Sequence, residues 1–368
     1  MAVVSIAFLI IGFALPVLPL YVHHQLGLST FVVGLVTGSQ FAASLVSRVW
    51  AGHFADRSGP KQAVIAGLLA AVAAGALYLI SLRFTATPVL SVSVLLLGRA
   101  LLGGAESFII TGAVTWGLAL AGPQNAGRVI AWVGMAMFAA MATGAPLGTM
   151  LFDVGGFAAV AVATALVPLL TLALVAPLRA TPAQHGASAG LLGVMRAVWM
   201  PGLGSALSCI GFGAMIGFSA LLAAERGWSP VWLAFSSFAL ALVAARLFLG
   251  HLPDRVGGAK VALVCIVIET AGLALIWLAP GPMVAVLTGF GFSLVYPGLG
   301  VEAVRRAPPQ SRGLAMGAYT VFLDVALGLG SPALGLLAGR AGLGSVFLAS
   351  AIVVFSAAII ASRLLMSR

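Results

Sequence analysis

Charge is scarce in this chain. Of 368 residues, 7% are Asp, Glu, Lys or Arg, and eight are acidic. Soluble domains carry about 25% charged residues and cannot hide this much apolar surface, so a water-soluble globular domain is excluded. Cysteine is scarce too. Cys209 and Cys265 lie inside apolar runs, which argues against a disulfide framework and for two small buried hydrophobes. No long stretch alternates polar and apolar residues over the ~10 positions of a membrane barrel strand. The phosphate loop G-x-x-x-x-G-K-[ST] is absent, and His23, His24, His53, His185 and His251 make no i, i+4 metal pair. ATP-driven pumping and a metal centre are therefore not expected, nor is an enzyme or a bound cofactor.

What is present is apolar length. Hydrophobic residues make up 62% of the chain and the mean hydropathy is +1.17. Runs of about 20 apolar residues, enough to cross a bilayer core as helix, follow one another from end to end. Breaks rich in Gly, Pro, Ser and charge predict twelve transmembrane helices, at 1–22, 31–54, 62–82, 89–119, 127–152, 156–178, 198–224, 230–252, 260–279, 282–304, 312–338 and 343–364. The first run has no basic start and no clear small-residue cleavage site, so it reads as a membrane helix and not as a removable signal. The longest polar-leaning break, "RATPAQHGASAG" at 179–190, predicts an all-α membrane protein of two six-helix bundles, 1–178 and 198–368, joined by a linker at 179–197.

Lys and Arg set the expected orientation. With both termini cytoplasmic, the inner segments hold twelve basic residues, among them Arg57, Lys61, Arg128, Arg179, Arg255 and Arg312, and the outer ones hold Arg83, Arg226 and Arg340. The net charge of +10 is thus a mark of membrane orientation, and nucleic acid is not an expected partner.

The two halves are related. "AGHFADRSGPK" at 51–61 returns as "LGHLPDRVGGAK" at 249–260, with Gly52, His53, Asp56, Arg57 and Gly59 matching Gly250, His251, Asp254, Arg255 and Gly257 at an offset of 198. Arg48 and Arg246 share that offset. Further on, Ser107 matches Ser293, Gly144 matches Gly330 and Pro146 matches Pro332 at an offset of 186. A shared spacing with one indel indicates an internal duplication of six spans, an arrangement that typifies secondary transporters.

The phrase G-x-x-x-D-R-x-G-x-x-K, carried by Gly52, Asp56, Arg57, Gly59 and Lys61, resembles the signature loop of the major facilitator superfamily. "GRALLGGAES" in span four resembles that family's R-x-x-x-G element through Arg99 and Gly103. "PVLPLYVHHQLG", "GHLPDRVGGAKVAL" and "LGVEAVRRAPPQSRGLAMGAY" resemble the YhhS/YfcJ-type bacterial subfamily, usually described as sugar or drug efflux permeases. The resemblance implies two pseudo-symmetric bundles with spans one, four, seven and ten lining a central cavity, in a bacterial inner membrane. One departure weakens the case for export. The G-P-x-x-G-G element common in antiporters survives here as Ala145, Pro146, Leu147, Gly148 and Thr149.

Ionisable groups within spans cost about 2.5–3.5 kcal/mol each, so each needs a reason. They are Arg48, Arg99, Glu106, Arg246, Glu269 and Asp324. Arg99, Gly103 and Glu106 share one face of span four, with about 10.5 Å of rise between the two charges. Glu106 is the first candidate for proton coupling, since alternating exposure would switch its protonation; a static ion pair is the competing reading. Asp324 in span eleven is the second. Arg99 is expected to tune Glu106 or bind an anionic group. Arg48, Arg246 and Glu269 are expected in structural ion pairs, Glu269 with Arg246. On helices that the resemblance places at the cavity, Tyr21, Ser293 and Tyr296 are substrate-cavity candidates, joined by Gln40 and Trp116. The inner loops, through Gly52, Asp56, Arg57, Gly59, Lys61, Asp254, Arg255 and Arg312, are expected to gate, Asp56 against the start of span eleven and Gly52 by permitting close helix approach.

The function expected is secondary transport by alternating access: proton-coupled efflux of a small polar or amphiphilic solute by a monomer in the lipid bilayer, with protons as the coupling ion. A uniporter or importer of a sugar or organic anion is the alternative, and a non-transporting membrane sensor is a more distant one.

Overall fold

The structure is a computed structural model and describes residues 2–121, 126–180, 191–278, 281–307 and 312–366. Its helices are α1 (Ala2–Leu20), α2 (Thr30–Ser58), α3 (Pro60–Ser81), α4 (Pro88–Ala121), α5 (Ala126–Val175), α6 (Leu191–Glu225), α7 (Leu233–Leu249), α8 (Leu252–Val256), α9 (Gly258–Leu278), α10 (Ala285–Arg306), α11 (Arg312–Ala341) and α12 (Leu343–Met366). Strands are absent among the described residues. Helix is what this composition requires, because hydrocarbon offers no partner for a backbone N–H or C=O and only the helix satisfies both within one segment.

Among the described residues, ten helical stretches are long and apolar enough to cross a membrane, and the 17-residue α7 is a shorter apolar helix. One of the ten, in α5, is bent at Gly155 and at Gly156, which has φ 59° and ψ −159°. Counted as two, and with α7 added, they correspond to the twelve expected spans; α6 is the seventh and α7 the eighth. The protein is a multi-pass membrane protein.

Contacts divide the chain into two compact units, Met1–Gly186 and Ala187–Arg368. Each repeats one packing scheme. In the first, α1 packs on α5, and α4 packs on α2 and α3; in the second, α6 packs on α11, and α10 packs on α7 and α9. The duplication is visible in individual contacts. A Cβ on Gly112 would lie 2.7 Å from the Pro60 carbonyl oxygen, and the residues 186 and 198 further on, Gly298 and Gly258, meet the same way at 2.8 Å. The turn between spans two and three is made by Gly59 at φ 92°, and its copy between α8 and α9 by Gly257 at φ 106°. Side chains other than glycine's are strained there, which explains why this glycine occurs in both loops.

Candidate functional site

The centre of the first unit is the crossing of α2 and α4. At Gly103 a Cβ would collide with the Gln40 carbonyl oxygen, so the two backbones touch. Around that contact Gln40 donates an N–H to Glu106 Oε2 at 2.7 Å, and one turn further the Ser44 and Ser107 hydroxyls meet at 3.0 Å. Ser107 also donates to the Ser44 carbonyl at 3.0 Å, and Arg48 Nη2 reaches Ser44 Oγ at 3.4 Å. Gln40 and Glu106 are 1% and 8% exposed. Gln40 Oε1 is buried without a hydrogen-bond partner. Towards the other end of α4, Arg99 is buried, donates from Nε to the Val36 carbonyl at 3.2 Å, and keeps Nη1 without a partner.

The second unit builds the equivalent crossing from different chemistry. Gly289 meets the Phe238 carbonyl as Gly103 meets that of Gln40. Yet the residues standing for Gln40 and Glu106 are Phe238 and Phe292, whose rings stack at 6.2 Å, with Phe212 on Phe292 at 5.2 Å. Nearby, Arg246 Nε donates to the Ser293 carbonyl at 3.0 Å. The helix crossing therefore does not need a carboxylate: stacked aromatics fill the same place.

Asp324 is 2% exposed on α11, within electrostatic reach of Cys209 on α6. Tyr21 stacks on Phe157 at 4.2 Å, and Trp116 buries its indole N–H without a partner. Tyr296 bonds Thr320 at 2.9 Å, and Tyr319 donates to the Tyr296 carbonyl at 2.8 Å, so this tyrosine ties α10 to α11. Ser293 turns its hydroxyl back to the Phe290 carbonyl at 2.6 Å. Asp56, Arg57, Asp254 and Arg255 are exposed. The side chain of Arg312 lies outside the described residues.

The expected pairing of Glu269 is corrected. Glu269 does not pair with Arg246; its Oε2 accepts the Ser208 hydroxyl at 2.5 Å and its Oε1 is buried without a partner. Lys61 bonds the Ala176 and Leu178 carbonyls, each at 2.7 Å, holding the end of α5 within its own unit. A cation suits a helix C-terminus, where carbonyls lack intrahelical donors. Gly52 permits no close approach within its unit, since a Cβ there would meet nothing within 4 Å. Sequence reasoning missed Ser208, Thr320 and Tyr319, because a hydroxyl inside an apolar run carries no signal of what it faces.

The sequence profile of the Major Facilitator Superfamily matches residues 1–281 and 201–368. The chain belongs to the Major Facilitator Superfamily. It is 42% identical over 354 residues to the "Uncharacterized MFS-type transporter STM4428" of Salmonella typhimurium, covering 95% of this chain and 91% of that one. It is 39% identical over 362 residues to the "Uncharacterized MFS-type transporter YhhS" of Escherichia coli K12, covering 97% and 89%. Among solved structures, a mutant of the nucleoside transporter NupG has a TM-score of 0.78 at 15% identity, over 98% of each chain. A bacterial homolog of the human lysosomal transporter Spinster has a TM-score of 0.72 at 16% identity, over 100% and 96%. At these identities the likeness to the solved superfamily transporters is one of fold.

Proposed function

We propose that this superfamily transporter is a proton-coupled secondary transporter that exports a small polar or amphiphilic solute by alternating access. It would act as a monomer in a bacterial cytoplasmic membrane, with both termini cytoplasmic. The observation that carries the reading is the Gln40–Glu106 pair, set where the repeat-related crossing holds Phe238 and Phe292. A buried carboxylate in a membrane span is costly and is retained for function by default. The duplicate half, which fills the same place with aromatic rings, supports a role for Glu106 beyond filling the crossing.

Glu106 is the coupling carboxylate in this reading and Asp324 the second. Gln40 holds Glu106 in place, and Arg99 tunes it. Asp56 and Arg57 gate at the cytoplasmic side. A second reading, uniport or import of an organic anion, is favoured by one observation: Arg99 Nη1 is buried without a hydrogen-bond partner, which leaves a donor available to an anionic group.

The test is a pH-indicator assay in proteoliposomes. With a pH gradient imposed, solutes that stabilise the purified protein against heat are added one at a time. Coupled export predicts that a transported solute dissipates the gradient; solute movement with no change in internal pH supports uniport.

A further inference from the structure

The proposed coupling site leaves two buried acids unused, Glu302 at the end of α10 and Glu269 within α9. Glu269 is 0% exposed. Its Oε2 takes the Ser208 hydroxyl at 2.5 Å, and its Oε1 has no hydrogen-bond partner. The carboxyl occupies space left by glycine: a Cβ on Gly211 of α6 would lie 2.6 Å from Oε1, with Leu273 and Val354 close by, and Gly291 of α10 lies against the Glu269 backbone. The enclosure is thus formed by α6, α9, α10 and α12.

Its ionisable surroundings are few. Cys209 on α6 and Cys265 on α9 are within electrostatic reach, and Asp324 on α11 reaches Cys209. The charged residues of α10 are Glu302, Arg305 and Arg306 at its end, Arg363 is the charged residue of α12, and α6 has Arg196 and Glu225 towards its ends. Arg246, on α7, bonds the Ser293 carbonyl. An ionised carboxylate enclosed this way, with one hydroxyl for a partner, would carry a large desolvation penalty. The repeat gives an independent argument. At an offset of 198 the first half has Ile10 for Ser208 and Ala71 for Glu269, both buried. The duplicated fold therefore closes this position without any polar group.

We propose that Glu269 and Ser208 form a proton-binding site inside the second half, occupied in the arrangement seen here and separate from Glu106. The Ser208 hydroxyl donates to Oε2 in both states, and the proton is held on Oε1, the oxygen without a hydrogen-bond partner. On loading, a proton from water forms the Oε1–H bond while Oε2 keeps accepting the Ser208 hydroxyl. On release that bond breaks, the proton returns to water, and the Ser208 O–H still donates to the carboxylate.

Infrared spectroscopy of the purified full-length protein in lipid tests this, with the proton as the probe. The wild type should show the C=O stretching band of a protonated carboxyl, shifted in heavy water. Glu269→Gln should lose that band, Glu106→Gln should keep it, and Ser208→Ala should displace it to higher frequency. A band unchanged in Glu269→Gln overturns the proposal, whatever Glu106→Gln shows. Disappearance of the band when potassium is replaced by sodium also overturns it, because the occupant is then a metal cation. Should Glu269→Gln fail to fold, the Ser208→Ala displacement decides alone: an unmoved band refutes the site. Loss of the band in Glu106→Gln and not in Glu269→Gln would support the first coupling site and refute this one.

Discussion

The amide of Gln40 donates to Glu106 Oε2 at 2.7 Å over a helix crossing that the other half fills with Phe238 stacked on Phe292 at 6.2 Å. A duplicated fold carries its own control experiment. Where both halves share a contact, as at Gly103 and Gly289, the contact belongs to the architecture. Where they differ, the difference is free to serve transport.

Gly103→Ala and Gly289→Ala should both destabilise the protein, because each adds a Cβ onto a carbonyl oxygen of the facing helix. Overpacking of this kind costs about 1–3 kcal/mol. Thermal unfolding in detergent checks it, with Gly52→Ala as the neutral control, since a Cβ at Gly52 meets nothing within 4 Å.

Gly59→Ala and Gly257→Ala should lower thermal stability to similar extents. With φ of 92° and 106° and ψ of 155° and 133°, both positions are strained for an L side chain, at roughly 1–3 kcal/mol each. Equal effects in the two halves fit a shared turn. A large effect on one side alone would show that the two loops have diverged in their structural work.

Lys61→Met should loosen the end of α5, because the ammonium bonds the Ala176 and Leu178 carbonyls. The side chain is partly exposed, so the loss is about 1 kcal/mol after screening. Hydrogen exchange should rise locally around residues 176–178. An unchanged exchange pattern there would show that these bonds do not hold the end of α5.

Asp56→Asn should leave thermal stability unchanged, as the side chain is exposed, and should slow transport under the gating proposal. Unaltered transport with normal expression removes Asp56 from the gate.

The order of elements was legible in the sequence because apolar length alone specifies membrane helices, and the break expected between residues 152 and 156 falls beside the bend at Gly155 and Gly156. The duplication was legible because its motifs sit at loops, where spacing survives. Side-chain partners were not. Glu269 and Arg246 suggested a pair by charge and depth, but span order says nothing about which way a side chain turns across a seam, and Glu269 turns to Ser208. Lys61 was legible as a basic residue of the loop motif, whereas its bonds to the end of a helix more than a hundred residues away were not. The Gln40–Glu106 pair lay between these cases. Both residues stood out as polar groups within spans, and only the fold joins them.

The most direct test of the central claim is pH-gradient-driven transport in proteoliposomes by the wild type and by Glu106→Gln, using a solute that stabilises the purified protein. The gradient should drive solute movement in the wild type, and Glu106→Gln, folded and reconstituted equally, should fall to the rate seen without a gradient. Undiminished gradient-driven transport by Glu106→Gln would contradict that claim.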